Sequence, residues 1–539
     1  MKLHRSSEIR NKLIPYIVFP AIIGILTGIL IFLFKIAASE VMSCSAWIYG
    51  LVREHPIYLP LLILGGIAIG VIAATILRYA GECRGGGIPT AVASIRGLLP
   101  LKWIQGIFVL FGSALLTYFA GIPLGNEGPS VQMGAAVGEG GSCLSKKNKH
   151  AWERYLMTGG ACSGFAIATG APLSGILFAL EEAHRRFSTV LVTVASISVV
   201  FGVITQRYLC FFFGVDPTFL HLSIPEILPM RYLWTVILIG AACGLCSLLF
   251  TGLYRVIGTF FKRRTGKLPF AARLAIIFGA TALLGFCSAN FIGTGHSLIE
   301  DVLHGKTVWY AVLLAFAVRA IVMICANNEG VSGGIFVPNL AFGAMIASLL
   351  ADGLIALHIV EEEYYVILIV VGMASFLAAS SRTPITAIAF AAEALCIASN
   401  IFPVVVGVVV AFLIVEASGK LSFADAVIEA HVESAHRGRV AVIVDSHMTV
   451  QAGSFADGME TRDILWPPTC AVLSIDRNRS HALHHSAQEI REGDVVHLHY
   501  QTYDPDQTMQ MLTAILGEQQ DGQRIRAHLG SNEHLVPLD

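Results

Sequence analysis

The chain has 539 residues, 55% of them hydrophobic and 14% charged, and its mean hydropathy is +0.69. These figures exclude a secreted disulfide scaffold, a disordered chain and a single soluble enzyme domain. The net charge of −1 excludes a strongly basic nucleic-acid binder, which leaves a membrane protein longer than any one domain.

The charge is unevenly spread. Residues 431–539 hold 8 Lys or Arg and 15 Asp or Glu, whereas the first 430 hold 28 and 22. A sparsely charged body of net +6 therefore carries an ordinary tail of net −7. Ten of the eleven cysteines lie in the body. They follow no framework of spacings, and Cys243 and Cys246 fall inside one long apolar stretch as small buried residues. The basic start (Lys2, Arg5, Arg10, Lys12) leads into an apolar run without a clear cleavage site, so a spanning segment is expected there and not a cleaved leader.

In chain order, apolar runs long enough to cross a bilayer fall near 14–35, 57–78, 103–120, 189–213, 232–261, 271–291, 307–326, 364–379 and 401–416. Shorter pieces broken by Gly and Pro lie between them, at 85–97, 125–138, 157–187 and 333–350. Interrupted segments at membrane depth are tolerated where they line a cavity or are buried in protein. Basic clusters at the N-terminus, at Lys146, Lys147 and Lys149, and at Lys262, Arg263, Arg264 and Lys267 favour the cytoplasmic side, with both termini there.

A repeat is visible. A shift of 212 places Gly160, Ser163, Ala166, Pro172, Phe178 and Glu181 on Gly372, Ser375, Ala378, Pro384, Phe390 and Glu393. A shift of 209 places Gly125, Pro129, Gly134 and Ala135 on Gly334, Pro338, Gly343 and Ala344. Two related halves follow, near 14–215 and 230–430, with broken segments at matching places, as in transporters.

Three glycine-rich loops open short helices: Gly85-Gly86-Gly87-Ile88-Pro89, Gly125-Asn126-Glu127-Gly128-Pro129 and Gly333-Gly334-Ile335-Phe336-Val337-Pro338. The prolines suit a first helical turn. The glycines let the backbone approach a ligand. Helix N-termini present unpaired N–H groups and partial positive charge, so three of them converging would hold an anion without a full positive charge. Glu127, a lone carboxylate in a broken membrane segment, reads as functional. Glu182, after Glu181 and before His184-Arg185-Arg186, reads either as functional or as a paired helix end.

These loops, with the stretch Ala171–Glu182 and the helix start Gly419-Lys420-Leu421-Ser422-Phe423, resemble the CLC family of chloride channels and proton-coupled chloride antiporters over about residues 14–430. The resemblance implies an all-α, multi-pass, duplicated (inverted-repeat) membrane fold with many broken helices, assembled as a homodimer with one pathway per subunit. It implies Glu127 as the gating carboxylate and Glu182 as the inner proton-transfer residue. It implies anion binding around Gly86, Gly87, Ile335, Phe336 and Phe423, and a gating loop of Gly125, Asn126, Gly128 and Pro129. Gly86 and Phe423 stand where the family has hydroxyls, and Asn126 where it has a basic residue. Each missing hydrogen bond to a charged ligand removes ~1.5–3 kcal/mol.

In the tail, strands are expected at 440–444, 470–475 and 495–501 and a helix at 506–516. Residues 1–13 form an N-terminal segment, 431–459 a linker and 460–539 a small α/β domain. The stretch 467–477 with Glu492–Val496 resembles the TrkA-C (RCK-C) ligand-binding module of bacterial potassium-transport regulators. A nucleotide-type ligand is one candidate for it, with a regulatory or dimer-stabilising role. His481, His484 and His485 lack acidic or cysteine partners at ligand spacing, so no metal is expected, and no catalytic motif points to an enzyme. The leading reading is a proton-coupled anion antiporter in a bacterial inner membrane. Its partners are a second copy, chloride and protons, and the lipid bilayer, without nucleic acid. A passive gated chloride channel and a fluoride-exporting relative are the alternatives.

Overall fold

The computed structural model describes residues 14–518 except 86, 144–148, 221, 223–225, 396, 437, 478–479 and 484–486. The helices of the first half are α1 (Phe19–Glu54), α2 (Leu59–Tyr79), α3 (Ile88–Ile95), α4 (Trp103–Phe119), α5 (Glu127–Ser142), α6 (Lys149–Thr169), α7 (Pro172–Phe178) and α8 (Thr189–Phe213). Those of the second are α9 (Leu233–Thr265), α10 (Phe270–Cys287), α11 (His296–Leu303), α12 (Trp309–Asn328), α13 (Phe336–Ala356), α14 (Tyr365–Ser381), α15 (Pro384–Ala394), α16 (Ile401–Ala417) and α17 (Phe423–Ala435).

Nine helices among the described residues are long and apolar enough to cross a membrane. Two expectations shift. The run at 103–120 forms a 17-residue helix, shorter than a full span, whereas 336–350 of the stretch expected to be broken lies in the continuous 21-residue α13. Its small residues serve close packing and do not interrupt the helix: a side chain at Gly343 would overlap the Gly372 carbonyl. The span at Pro56–Tyr79 is 22% buried and the one at Glu362–Ser381 is 89% buried, so α2 lies at the periphery and α14 at the centre.

The duplication is visible in contacts. The crossing of Gly134 with Gly160 is repeated where Gly343 crosses Gly372, each glycine lying against the other's backbone. The halves also exchange helix caps. Glu181 accepts hydrogen bonds from the Ile385 and Thr386 N–H groups (2.9 and 2.7 Å) at the start of α15. Glu393 accepts from the Leu173 and Ser174 N–H groups (2.9 and 3.0 Å) at the start of α7. Each carboxylate satisfies donors that a helix cannot satisfy itself.

The tail forms a four-stranded antiparallel sheet, order β1-β4-β2-β3, from β1 (Val442–Thr449), β2 (Cys470–Arg477), β3 (Ser480–Leu483) and β4 (Val495–Thr502), followed by α18 (Pro505–Leu516). β1 pairs along its whole length with β4, Val442 opposite Thr502 and Thr449 opposite Val495. The sheet therefore takes in residues of the stretch expected as a linker. The alternation of buried Val444, Ser446 and Met448 with exposed neighbours explains why. His484 and His485 lie outside the described residues. Among the described residues no group of three His, Cys, Asp or Glu is placed to hold a metal ion.

The tail does not hang from α17. Asp463 accepts from Ser188 Oγ (2.7 Å) and from the Thr189 N–H (3.0 Å) at the start of α8. Arg154 on α6 donates to the Trp466 carbonyl (2.6 Å) and Arg186 to the Ile464 carbonyl (2.6 Å). The Tyr155 hydroxyl donates to the Asp463 carbonyl and accepts from the Leu465 N–H (2.9 Å). Trp152 and Tyr155 share one apolar cluster with Phe455, Ile464, Leu465 and Trp466.

Candidate functional site

The three glycine loops meet. Gly125 and Gly334 donate to each other's carbonyls (2.7 and 2.6 Å), forming an isolated antiparallel bridge between the two halves. The Gly85 N–H donates to the Gly330 carbonyl (3.3 Å). A Cβ on Gly87 would lie 2.5 Å from the Gly128 Cα, and one on Gly128 would lie 2.5 Å from the Gly334 Cα. Gly87 also adopts φ +66°, which disfavours a side chain. Only glycine permits this approach of three backbones.

As a result the N-termini of α3, α5 and α13 converge, with Pro89, Pro129 and Pro338 in their first turns. The first N–H groups of a helix have no partner within it and carry partial positive charge, which suits an anion. Gly86 lies outside the described residues. Ile335 and Phe336 are buried at the start of α13. Asn126 precedes α5, its carbonyl accepting from the Ser130 N–H (3.2 Å) and from Ser130 Oγ (2.8 Å).

Glu127 is the first residue of α5 and is fully buried. Its carboxylate folds back over Gly125. The N–H groups of Glu127 and Val337 lie near it, but neither carboxylate oxygen has a partner at hydrogen-bond geometry among the described residues. An unsatisfied buried carboxylate is costly, so the position is suited to a group that moves or exchanges a proton.

Glu127 forms the base of a cavity of about 640 Å³ whose lining includes Lys35, Tyr118, Asn126, Phe219 and His296. The Tyr118 hydroxyl donates to the Gly125 carbonyl (3.1 Å) and steadies the loop. The cavity reaches Ala168, at the end of α6 remote from Arg154 and Tyr155, which hold the tail. A helix rises 1.5 Å per residue, so this vestibule lies roughly 20 Å from the tail's docking face.

Glu182 lies on the tail side, in the π-turn Ala179–Ala183 after α7. Arg96 holds this turn, donating to the carbonyls of Glu182 and Ala183 (both 2.8 Å). Its neighbour Arg185 pairs with Asp425 (2.7 Å) near the start of α17. Between the two carboxylates runs a chain of aromatic rings, Phe219–Phe390–Phe336–Phe165–Phe178, with centroids 5.0–5.4 Å apart. Phe423 is fully buried, its ring against Phe250 and Tyr254 (5.1 and 4.8 Å). That ring offers no hydrogen bond. The nearby Tyr254 hydroxyl is committed to Asn327 Oδ1 (3.0 Å).

The structure thus brings together Gly87, Gly125–Pro129 and Gly334–Phe336. It adds Lys35, Tyr118, His296 and Arg96, which the sequence reading missed. Lys35 had a signal of its own: it is a cation midway along a 36-residue apolar helix whose other cation, Arg53, lies in the last turn. The others act through contacts distant in sequence.

The comparisons agree with this architecture. The chain is 28% identical over 438 residues to the H(+)/Cl(-) exchange transporter ClcA of Yersinia pestis bv. Antiqua (strain Angola), covering 79% of this chain and 90% of that protein. It is 26% identical over 406 residues to the ClcA of Salmonella paratyphi B (strain ATCC BAA-1250 / SPB7), covering 73% and 85%. Among solved structures, a slow cyanobacterial Cl-/H+ antiporter superposes with a TM-score of 0.70 at 23% identity, covering 78% of this chain and 99% of that one. A CLC-type fluoride/proton antiporter gives 0.61 at 20% identity, covering 75% and 96%. The expectation of a nucleotide-type ligand on the tail gains no support from these relatives. The voltage gated chloride channel family model matches residues 65–416, well over half of the sequence, and the chain belongs to that family, a multi-pass membrane protein of the duplicated CLC fold.

Proposed function

We propose that the protein is a proton-coupled anion antiporter of a bacterial inner membrane. The observation that carries this reading is Glu127: a buried carboxylate without a hydrogen-bond partner among the described residues, set where three helix N-termini converge at the base of a vestibule. When ionised it competes with an anion for the N–H groups of the loops. When protonated it loses that competition and frees the site, so the anion and the ionised carboxylate exclude each other at one place. The relatives whose printed names are H(+)/Cl(-) exchange transporters support the reading.

Glu182, on the opposite side, serves as the inner proton-transfer residue, with Arg96 and Arg185 setting its charged surroundings. The anion is held by the backbone around Gly86, Gly87, Ile335 and Phe336. Two copies assemble, each with its own pathway, and the TrkA-C-like tail is regulatory and faces the cytoplasm.

The test is reconstitution of the full chain in liposomes under a chloride or a fluoride gradient, following anion and proton together. Anion-driven uphill proton movement is expected, and Glu127→Gln should abolish it while anion flux persists. Anion flux without proton movement in the native protein would establish a passive channel instead. A strong preference for the fluoride gradient would keep the mechanism and change the cargo.

A further inference from the structure

Lys35 sits in the middle of α1, and its side chain lines the same vestibule as Glu127. An ammonium group at that depth is expensive unless it is used. Its hydrogen bonds account for only part of it: Nζ donates to the carbonyls of Ile167 and Ala168 at 3.4 and 3.3 Å. Charge-assisted N–H···O bonds are usually 2.7–2.9 Å, so these two are loose. They place the ammonium over the C-terminal end of α6, where the helix dipole favours a cation, and leave its field free to act across the cavity.

The other charges of the vestibule show what that field does. Glu127 closes the base and Glu300 lines the wall, and both repel an entering anion. Arg53 lines the cavity as well, but its guanidinium is committed to the Gly285 carbonyl (2.8 and 3.1 Å). His296 is tied to Thr294 (3.0 Å) and packed on Phe219. Lys35 faces the same cavity as the Glu127 carboxylate and carries the opposite charge. Residue 126, next to that carboxylate, is a neutral asparagine. A cavity with low-dielectric walls focuses such a field and raises the local concentration of the opposite charge.

We propose that Lys35 is the specificity-determining cation of the vestibule opposite the tail: its ammonium, set over the end of α6, draws the anion to the passage that Glu127 closes. This rests on the reading of the chain as an anion antiporter. It adds that selection and capture at this mouth depend on a positive charge delivered from α1.

The experiment uses the full chain in liposomes captured through a C-terminal tag, so that every measured vesicle has the tail outward. Chloride is supplied to one face at a time. K35M should raise the apparent KM for chloride at the vestibule face on the order of tenfold, change KM at the tail face by less than about twofold, and leave the maximal rate close to native. K35R should keep the native KM. Added inert salt should raise the native KM at the vestibule face and leave that of K35M nearly unchanged. If K35M does not reconstitute, K35Q carries the same expectations. Equal KM values for the native and neutral variants at the vestibule face would overturn the proposal. So would an equal rise at both faces, or a K35R as impaired as K35M, since either marks a helix cap and not a source of charge. A native protein that moves no anion would overturn the transport reading itself, a result distinct from any of these.

Discussion

Gly125 and Gly334 hold each other by both their backbone N–H groups. The bridge joins equivalent loops of the two halves at the point where three helix starts meet. Its geometry leaves no room on either side of Gly128, so Gly128→Ala should destabilise the protein by about 1–3 kcal/mol and abolish transport in whatever protein still folds. Gly353→Ala on α13 is the control: open space surrounds that position, and the substitution should stabilise slightly. Thermal unfolding in detergent and anion efflux from liposomes measure the pair. Normal efflux in Gly128→Ala would show that the close approach is not required.

Each exchanged cap can be tested by its own substitution. Glu181 accepts from two backbone N–H groups and the Thr386 hydroxyl, and Glu393 accepts from the N–H groups of Leu173 and Ser174. Loss of a helix cap costs about 0.5–2 kcal/mol. Glu181→Ala and Glu393→Ala should therefore each lower the unfolding temperature, and Glu181→Gln should lie between native and Glu181→Ala. Unchanged unfolding temperatures in both alanine variants would mean that the caps do not set the stability of α7 and α15.

The clamp between tail and membrane body should fail at one residue. Asp463 satisfies the start of α8 with both carboxylate oxygens, the second accepting from Thr189 Oγ1 (3.1 Å). Asp463→Ala strands those donors at about 1–3 kcal/mol, so limited proteolysis should cut between the body and the sheet faster than in the native protein. An unchanged cleavage rate would show that the apolar cluster around Trp152 and Phe455 suffices without the clamp.

A pH dependence follows from Asp494. Burial alone would raise its pKa, but Arg477 outweighs it with two charge-assisted hydrogen bonds (2.8 and 2.7 Å), joined by the Arg491 N–H (2.8 Å), so the carboxyl titrates below the ordinary aspartate range. A depressed folded value contributes stability above the unfolded value of about 4, and that stability is lost as pH falls through the folded value. Amide exchange in β2 and β4 of the full chain should accelerate as pH drops below about 4 relative to its intrinsic rate. In Asp494→Asn that acceleration should be absent.

The site was legible where its causes are local. Glycine, proline and one carboxylate within five residues mark a helix start wherever the chain places it, so Glu127 and its loops stand out in the sequence, as does the repeat. Lys35 meets its carbonyls 132 and 133 residues away, and Asp463 meets Thr189 across 274. No periodicity reports such pairings. The small residues of α13 were deceptive for a related reason. Gly343 reads as a breaker in isolation, and its purpose appears only when Gly372 lies against it.

The exchanged caps also set a timetable. When the ribosome has made α7, the N–H groups of Leu173 and Ser174 are open, and the carboxylate that closes them is 220 residues further along the chain. At synthesis rates of about 5–20 residues per second, that helix start waits roughly 10–45 s inside an apolar environment for its partner. A ribosome stalled within the second half holds a first half that is threaded through the membrane but cannot be finished.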